Sequence, residues 1–159
     1  RFGLYTRGVR YPELISYKTL PGGGTTDYAV EIYYEAIKKQ AYKSFLKKGT
    51  QLDMMYMPDA LKAAIDIMEA DADTFIHRNA FNVTSISAAP EDFEAAIKKH
   101  IPDFSLGYET DPVRQGIADS WPNSLDDSAA RQEWGWSPEY DLDTMTKDML
   151  ENLKIKLQK

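Results

Sequence analysis

An α/β domain is what this sequence predicts, and two observations carry the prediction. Short apolar runs bounded by turn residues alternate with stretches whose apolar residues recur at helical spacing. No internal repeat or low-complexity linker interrupts the alternation, and 159 residues is one domain's length.

The first strand is expected over Tyr5 to Tyr11. Tyr17 to Thr26 follows as a Gly-rich loop, and Ala29, Val30, Tyr33, Ala36 and Ile37 then share one helical face, with Thr25, Thr26 or Asp27 as the cap. Lys38, Lys39, Lys43, Lys47 and Lys48 complement that helix's dipole and read as a solvated face. Ala41 to Leu46 and Leu52 to Tyr56 are short strands. Pro58 opens a helix with Leu61, Ala64, Ile65 and Met68 inward, and Asp71 to Thr74 is a turn. Arg78 to Thr84 alternates as a strand, while Pro90 to His100 is a helix with Phe93, Ile97 and Ile101 on one stripe, ended by Pro102. Phe104 to Tyr108 is a further strand and Thr110 to Pro122 reads as irregular and polar. Asp126 to Trp134 is a short helix stopped by Gly135. Asp141 to Leu157 is the longest helix, with Leu142, Met145, Met149, Leu153 and Leu157 at i, i+3/i+4 spacing.

Composition narrows the function classes. Nineteen Lys+Arg against 25 Asp+Glu give a net charge of −6, so the overall field repels phosphate backbones and anionic lipid, and neither nucleic acid nor a membrane is the expected partner. No uncharged apolar run approaches the roughly 18 residues of a membrane span. The absence of cysteine removes disulfides, zinc–thiolate sites and thiol catalysis. The lack of a signal-peptide pattern sets the expectation of the cytoplasm or an organelle interior. Arg1 and the strand-like residues close behind it read as the start of a piece cut from something longer.

Self-sufficient catalytic chemistry is not evident. His77 and His100 lack partner patterns and read as structural, and no Ser-His-Asp or metal-ligand constellation is present. Glu91-Asp92, Asp126-Asp127 and the Asp141/Asp143 pair lie in first turns of helices, where the dipole favours carboxylates. Met54-Met55-Tyr56-Met57 reads as a buried strand with gap-filling thioethers, not as a metal site. Two segments stand apart. Gly22-Gly23-Gly24-Thr25-Thr26-Asp27 frees the backbone to approach a ligand and offers N–H groups at a helix start that suit a carboxylate; the competing reading is a flexible loop with an N-cap. Trp121, in Asp119-Ser120-Trp121-Pro122, has no apolar periodicity to bury it and either walls a pocket or packs on a neighbouring helix. Trp134 and Trp136 bracket a helix stop and belong to the core.

Arg10-Tyr11-Pro12-Glu13-Leu14-Ile15-Ser16, Pro21-Gly22-Gly23-Gly24-Thr25-Thr26-Asp27-Tyr28-Ala29, Met54 to Ala60, Ile117-Ala118-Asp119-Ser120-Trp121-Pro122 and Trp134-Gly135-Trp136 together resemble the carboxyl-terminal half of the short-chain-dehydrogenase type of L-threonine 3-dehydrogenase. The resemblance implies the carboxyl-terminal part of a Rossmann-like extended short-chain dehydrogenase, its last parallel strands plus a substrate-binding subdomain. Residues 1–159 would form one domain, with the dinucleotide-binding half upstream. It also implies oxidation of the threonine hydroxyl to a ketone, with hydride passed to NAD and 2-amino-3-ketobutyrate as product. Gly24, Thr25, Thr26 and Trp121 would hold the amino acid, and Tyr11, Pro12, Leu14 and Ile15 would lie beside the nicotinamide. No catalytic residue is assigned within residues 1–159: the family's dinucleotide fingerprint and Tyr-x-x-x-Lys base have no counterpart there. Tyr34 and Lys38 share that spacing by coincidence, at the outer end of a different helix. Two positions depart from the family. Glu13 stands where the family has Gly, and Asp111-Pro112-Val113-Arg114 has one residue more than the usual Asp-x-Arg.

The expectation is therefore a substrate half-site, inactive alone, whose partners are L-threonine and either the amino-terminal half or, failing that, another copy of itself. The complete enzyme would be a homodimer. The alternatives are a nucleotide-sugar epimerase or dehydratase fragment, for which the Gly-Thr loop lacks basic side chains, and a non-catalytic interaction domain.

Overall fold

A computed structural model describes residues 5–77 and 80–158. In chain order its elements are β1 (Val9–Arg10), β2 (Glu13–Ile15), α1 (Tyr28–Lys39), β3 (Ala41–Ser44), β4 (Leu52–Tyr56), α2 (Met57–Glu69), β5 (Phe81–Asn82), β6 (Ile86–Ala88), α3 (Pro90–Lys98), β7 (Ser105–Tyr108), α4 (Pro112–Asp119), α5 (Ser128–Trp134) and α6 (Leu142–Leu157). Strands β2, β4 and β6 form a sheet in which β2 runs parallel to β4, Glu13 opposite Met54, and β6 runs antiparallel to it, Leu52 opposite Ala88. Two parallel pairs complete the architecture, β1 with β5 and β3 with β7.

β4 is buried along most of its length because it separates two cores. Leu52, Met54 and Tyr56 enter one, and the intervening Met55 enters the other, as the two-residue period of a strand requires. The first core lies between β4 and helices α1, α3 and α6. There Phe93 meets Tyr28 and Tyr33 edge-on, with ring centroids 5.8 and 6.1 Å apart. The Tyr33 hydroxyl is paired with Thr146 Oγ1 at 2.7 Å, and Tyr56 donates to Asp148 at 2.5 Å, so neither buried phenol is stranded. The second core gathers Met55, Ala60, Ala63, Ile67, Phe81, Val83, Ala130 and Trp136. Asp59, buried beside it, accepts the backbone N–H groups of Glu139 (2.8 Å) and Tyr140 (3.1 Å) and ties the segment before α6 to α2.

Several expectations are corrected. The single strand over Tyr5 to Tyr11 shrinks to β1, because Pro12 has no N–H to continue a ladder and β2 begins only after it. Ahead of β1, Arg7 donates to Ile67 O and Ala70 O, both at 2.6 Å, and so caps the carbonyl end of α2 instead of entering a strand. The helix α2 turns Ala60, Ala63 and Ile67 inward, while Leu61, Ile65 and Met68 are exposed. Small side chains let its axis approach the sheet, and the larger apolar stripe is left outside. The stretch from Thr110 to Pro122, expected to be irregular, contains α4. Asp111 caps it by accepting Val113 N–H at 2.8 Å, with Pro112 in the first turn. β3 stops at Ser44, whose hydroxyl bonds both backbone groups of Leu46. Of the strand expected over Arg78 to Thr84, Phe81–Asn82 is found; Arg78 and Asn79 lie outside the described residues.

Other elements form as their sequence directs. Gly135 stops α5 at a φ of 74°, and Asp141 caps α6 by accepting Thr144 N–H at 2.8 Å. Lys39 pairs with Glu35, Lys43 with Glu109 and Lys47 with Asp119, as befits a solvated face. Among the described residues no helix is long and apolar enough to cross a membrane.

Candidate functional site

Three separated segments converge on a cavity of about 280 Å³ whose walls include Tyr11, Pro12, Glu13, Asp53, Trp121 and Pro122. The turn from β1 into β2 supplies the first three, because Pro12 interrupts the ladder there. β4 supplies Asp53, the one charged residue in an otherwise apolar and aromatic strand. The segment leaving α4 supplies Trp121, whose N–H closes on Ala118 O at 3.1 Å and which is 42% exposed. The Asp119 carboxylate fixes this helix end, receiving Gln115 Nε2 at 2.7 Å and Lys47 Nζ at 3.1 Å.

The two carboxylates differ in their partners. Asp53 accepts the Thr84 hydroxyl at 2.6 Å and Leu125 N–H at 3.1 Å, which pins the segment after Trp121 to β4. Burial nonetheless pushes its carboxyl above the usual range, against those two hydrogen bonds, and Asp127 adds to the push. Burial likewise raises Glu13, opposed by a hydrogen bond from Thr26 and reinforced by the nearby Asp27. Among the described residues, none that lines the cavity is cationic.

Tyr11, Pro12 and Trp121 thus meet in one place. Thr26 is buried and does not line it. Gly24 and Thr25 are not on its wall: Gly24 N–H donates to Asp27 Oδ2 at 2.6 Å, and Thr25 is buried. Asp27 stands at the cap position of α1 without a side-chain bond to the helix's first turn; its carboxylate is turned back on the loop. Leu14 is partly buried against the second core and Ile15 is enclosed in the first. The Tyr11 hydroxyl is engaged with Ala60 O at 2.9 Å. Arg114 stacks its guanidinium 4.2 Å from the centre of the Phe45 ring, away from the cavity. Tyr34 and Lys38 sit together elsewhere, on a larger groove of about 980 Å³ between α1, β3, β7 and the end of α6. Among the described residues no group of three or more His, Asp or Glu side chains is placed to hold a metal ion.

Asp53 is the cavity-lining carboxylate that sequence reasoning missed. The available signal was a lone carboxylate inside an apolar strand, which demands a partner or a function.

No family model matches the sequence. An uncharacterised epimerase/dehydratase of Staphylococcus haemolyticus is 54% identical over 158 residues, 99% of this chain and 50% of that protein. The solved structure of L-threonine dehydrogenase from Clostridium difficile superposes with a TM-score of 0.94 at 63% identity, over 98% of this chain and 49% of that one. The enzyme from Phytophthora infestans gives 0.92 at 49% identity, over 98% and 50%. The chain therefore spans about half the length of the relatives it matches. Its α/β fold with parallel strand pairs is that of the carboxyl-terminal part of a Rossmann-like extended short-chain dehydrogenase, and its resemblance to L-threonine 3-dehydrogenase extends over nearly all of its residues.

Proposed function

We propose, for a protein that resembles half of an L-threonine dehydrogenase, that it forms the part of that enzyme which holds the amino acid and covers the nicotinamide of NAD. The observation that carries this reading is the convergence of Tyr11 and Pro12 from the turn into β2, Asp53 from β4, and Trp121 from the segment after α4 onto one cavity. In the reaction, the C–H and O–H bonds at the hydroxyl-bearing carbon of threonine break, NAD takes the hydride, and the hydroxyl proton goes to a base; the products are 2-amino-3-ketobutyrate and NADH. The residues present here bind, orient and exclude water: the indole of Trp121 walls the cavity, and the backbone of Tyr11 to Ile15 lines the side on which a nicotinamide would lie. The base and the pyrophosphate site belong to a dinucleotide-binding half, and the complete enzyme pairs as a homodimer. A nucleotide-sugar substrate fits less well, since a diphosphate needs cationic partners and the cavity wall has carboxylates instead.

Calorimetric titration of the protein with NAD tests the division of labour. No micromolar affinity is expected, because the glycine turn that takes a pyrophosphate at a helix start is missing. Joining residues 1–159 to the dinucleotide-binding half of the Clostridium difficile relative should yield threonine-dependent NADH formation. Tight NAD binding by residues 1–159 alone, or turnover of a nucleotide sugar in place of threonine by the joined enzyme, would overturn the reading.

A further inference from the structure

Side chains, and neither backbone ladders nor apolar packing, tie the segment behind Trp121 to the rest of the protein. Trp121, Pro122 and Leu125 line the cavity, and they belong to the connection between α4 and α5. Burial does little to fix it: Trp121 to Ser124 and Asp126 are exposed, and Leu125 is only partly covered. Among the described residues, no backbone group of Pro122 to Asp126 bonds to another backbone group. The ties come instead from three strands. Asn82 of β5 donates Nδ2–H to Asp126 O at 3.1 Å, Ser87 of β6 donates its hydroxyl to Asn123 O at 2.7 Å, and Asp53 of β4 accepts Leu125 N–H at 3.1 Å. Asp53 is itself oriented by the Thr84 hydroxyl at 2.6 Å. An element held by a few hydrogen bonds, each with a small net contribution, opens at far lower cost than the cores beneath it.

We infer that Asp53, Ser87 and Asn82 are positioning residues that hold this segment closed over the cavity as one unit, and that the amino-acid substrate binds the closed form. This rests on the proposed amino-acid site and adds how its outer wall is set. Attachment to three neighbouring strands fixes where the backbone between the anchors lies, and with it the place of Trp121 and Leu125 on the cavity wall. Each anchor acts on the substrate through the wall that it positions. Because the segment opens as a unit, loss of one anchor is felt at the contacts of the others. A ligand that packs against the closed wall and loses that contact on opening holds the wall shut in return, by linkage.

Hydrogen exchange at Leu125 N–H reads the opening, because Asp53 is its acceptor. In the protein of residues 1–159, Ser87→Ala and Asn82→Ala remove bonds to Asn123 and Asp126 and leave the Leu125 bond in place. Each should nevertheless speed Leu125 exchange by about fivefold, the ratio that corresponds to one neutral hydrogen bond, while amides inside α1 and α3 exchange as before. Ser87→Thr, which keeps the hydroxyl, should restore the parent rate. Unchanged Leu125 exchange in both alanine variants, or an equal acceleration throughout α1 and α3, would overturn the inference. The same measurement on the joined enzyme adds the substrate. With NADH bound, so that no turnover occurs, threonine at about ten times its Kd should slow Leu125 exchange about tenfold. Bound threonine that leaves Leu125 exchange unchanged would overturn the positioning role and leave the amino-acid site standing. A joined enzyme that binds NAD but not threonine, with Leu125 exchange still responding to Ser87 and Asn82, would overturn the amino-acid site and leave the anchors as what closes the wall.

Discussion

The helices α1 and α2 pack on the two cores that β4 separates, and they do so by different means. Helix α1 buries Tyr28, Ile32, Tyr33 and Ala36 and shows water a charged surface with Glu35, Lys38 and Lys39. Helix α2 buries Ala60, Ala63 and Ile67 yet leaves Leu61 59%, Ile65 49% and Met68 67% exposed, one helical stripe of large apolar side chains. The first layer is closed by α3 and α6. The second is finished toward the sheet and unfinished toward solvent. An apolar stripe on a helix therefore does not reveal which face meets its own sheet; the small residues choose the close approach, and the larger ones stay exposed.

The sharpest way to break the comparison is to truncate one residue from each layer. Phe93→Ala, in the closed layer, should cost about 3–5 kcal/mol in urea unfolding, while Leu61→Ala should stay within about 0.5 kcal/mol. Similar losses at both positions would mean that the two layers are equally packed. Next in size is Asp59→Ala, which orphans the N–H groups of Glu139 and Tyr140 under α2 and should cost about 1–3 kcal/mol.

The cap of α6 should matter less and depend on pH. Thr144 N–H and hydroxyl hold the Asp141 carboxyl below the usual range. A lowered carboxyl contributes stability that is present above its unfolded value and lost as pH falls through its folded one. Asp141→Ala should therefore cost about 1 kcal/mol at neutral pH, and the deficit should shrink as the medium is acidified below about pH 4. A constant cost down to about pH 2 would remove the charge from the account. The smallest effect on stability is expected from replacing Leu61, Ile65 and Met68 together by lysine. Sedimentation velocity should nevertheless show less self-association than in the parent protein, and unchanged association would clear the α2 stripe of any role in it.

How far the sequence could be read follows from where each signal resides. Helices α3 and α6 were legible because proline or aspartate marks their starts and their apolar residues fall on one face. Helix α4 escaped because Val113 and Ile117 point outward and little of it is buried, although Asp111-Pro112 is a helix-start signal. The inner face of α2 was misjudged because both of its stripes are apolar and only the neighbouring sheet decides between them. In the site, Trp121 was recognisable as a tryptophan with no periodicity to bury it. Asp53 was not, because its partners Thr84 and Leu125 lie 31 and 72 residues further along the sequence. At the Gly-rich helix start the sequence did not show that the Asp27 carboxylate turns back to accept Gly24 N–H.

The central claim, that residues 1–159 contribute the substrate side of a threonine-oxidising site, is tested most directly by steady-state kinetics on the joined enzyme carrying Trp121→Ala or Thr26→Ala. Each variant should lose on the order of 1–3 kcal/mol of transition-state stabilisation in kcat/KM for threonine, about tenfold to a hundredfold, while the Kd for NAD stays nearly unchanged. Wild-type kcat/KM for threonine in both variants, or a loss confined to NAD affinity, would contradict it.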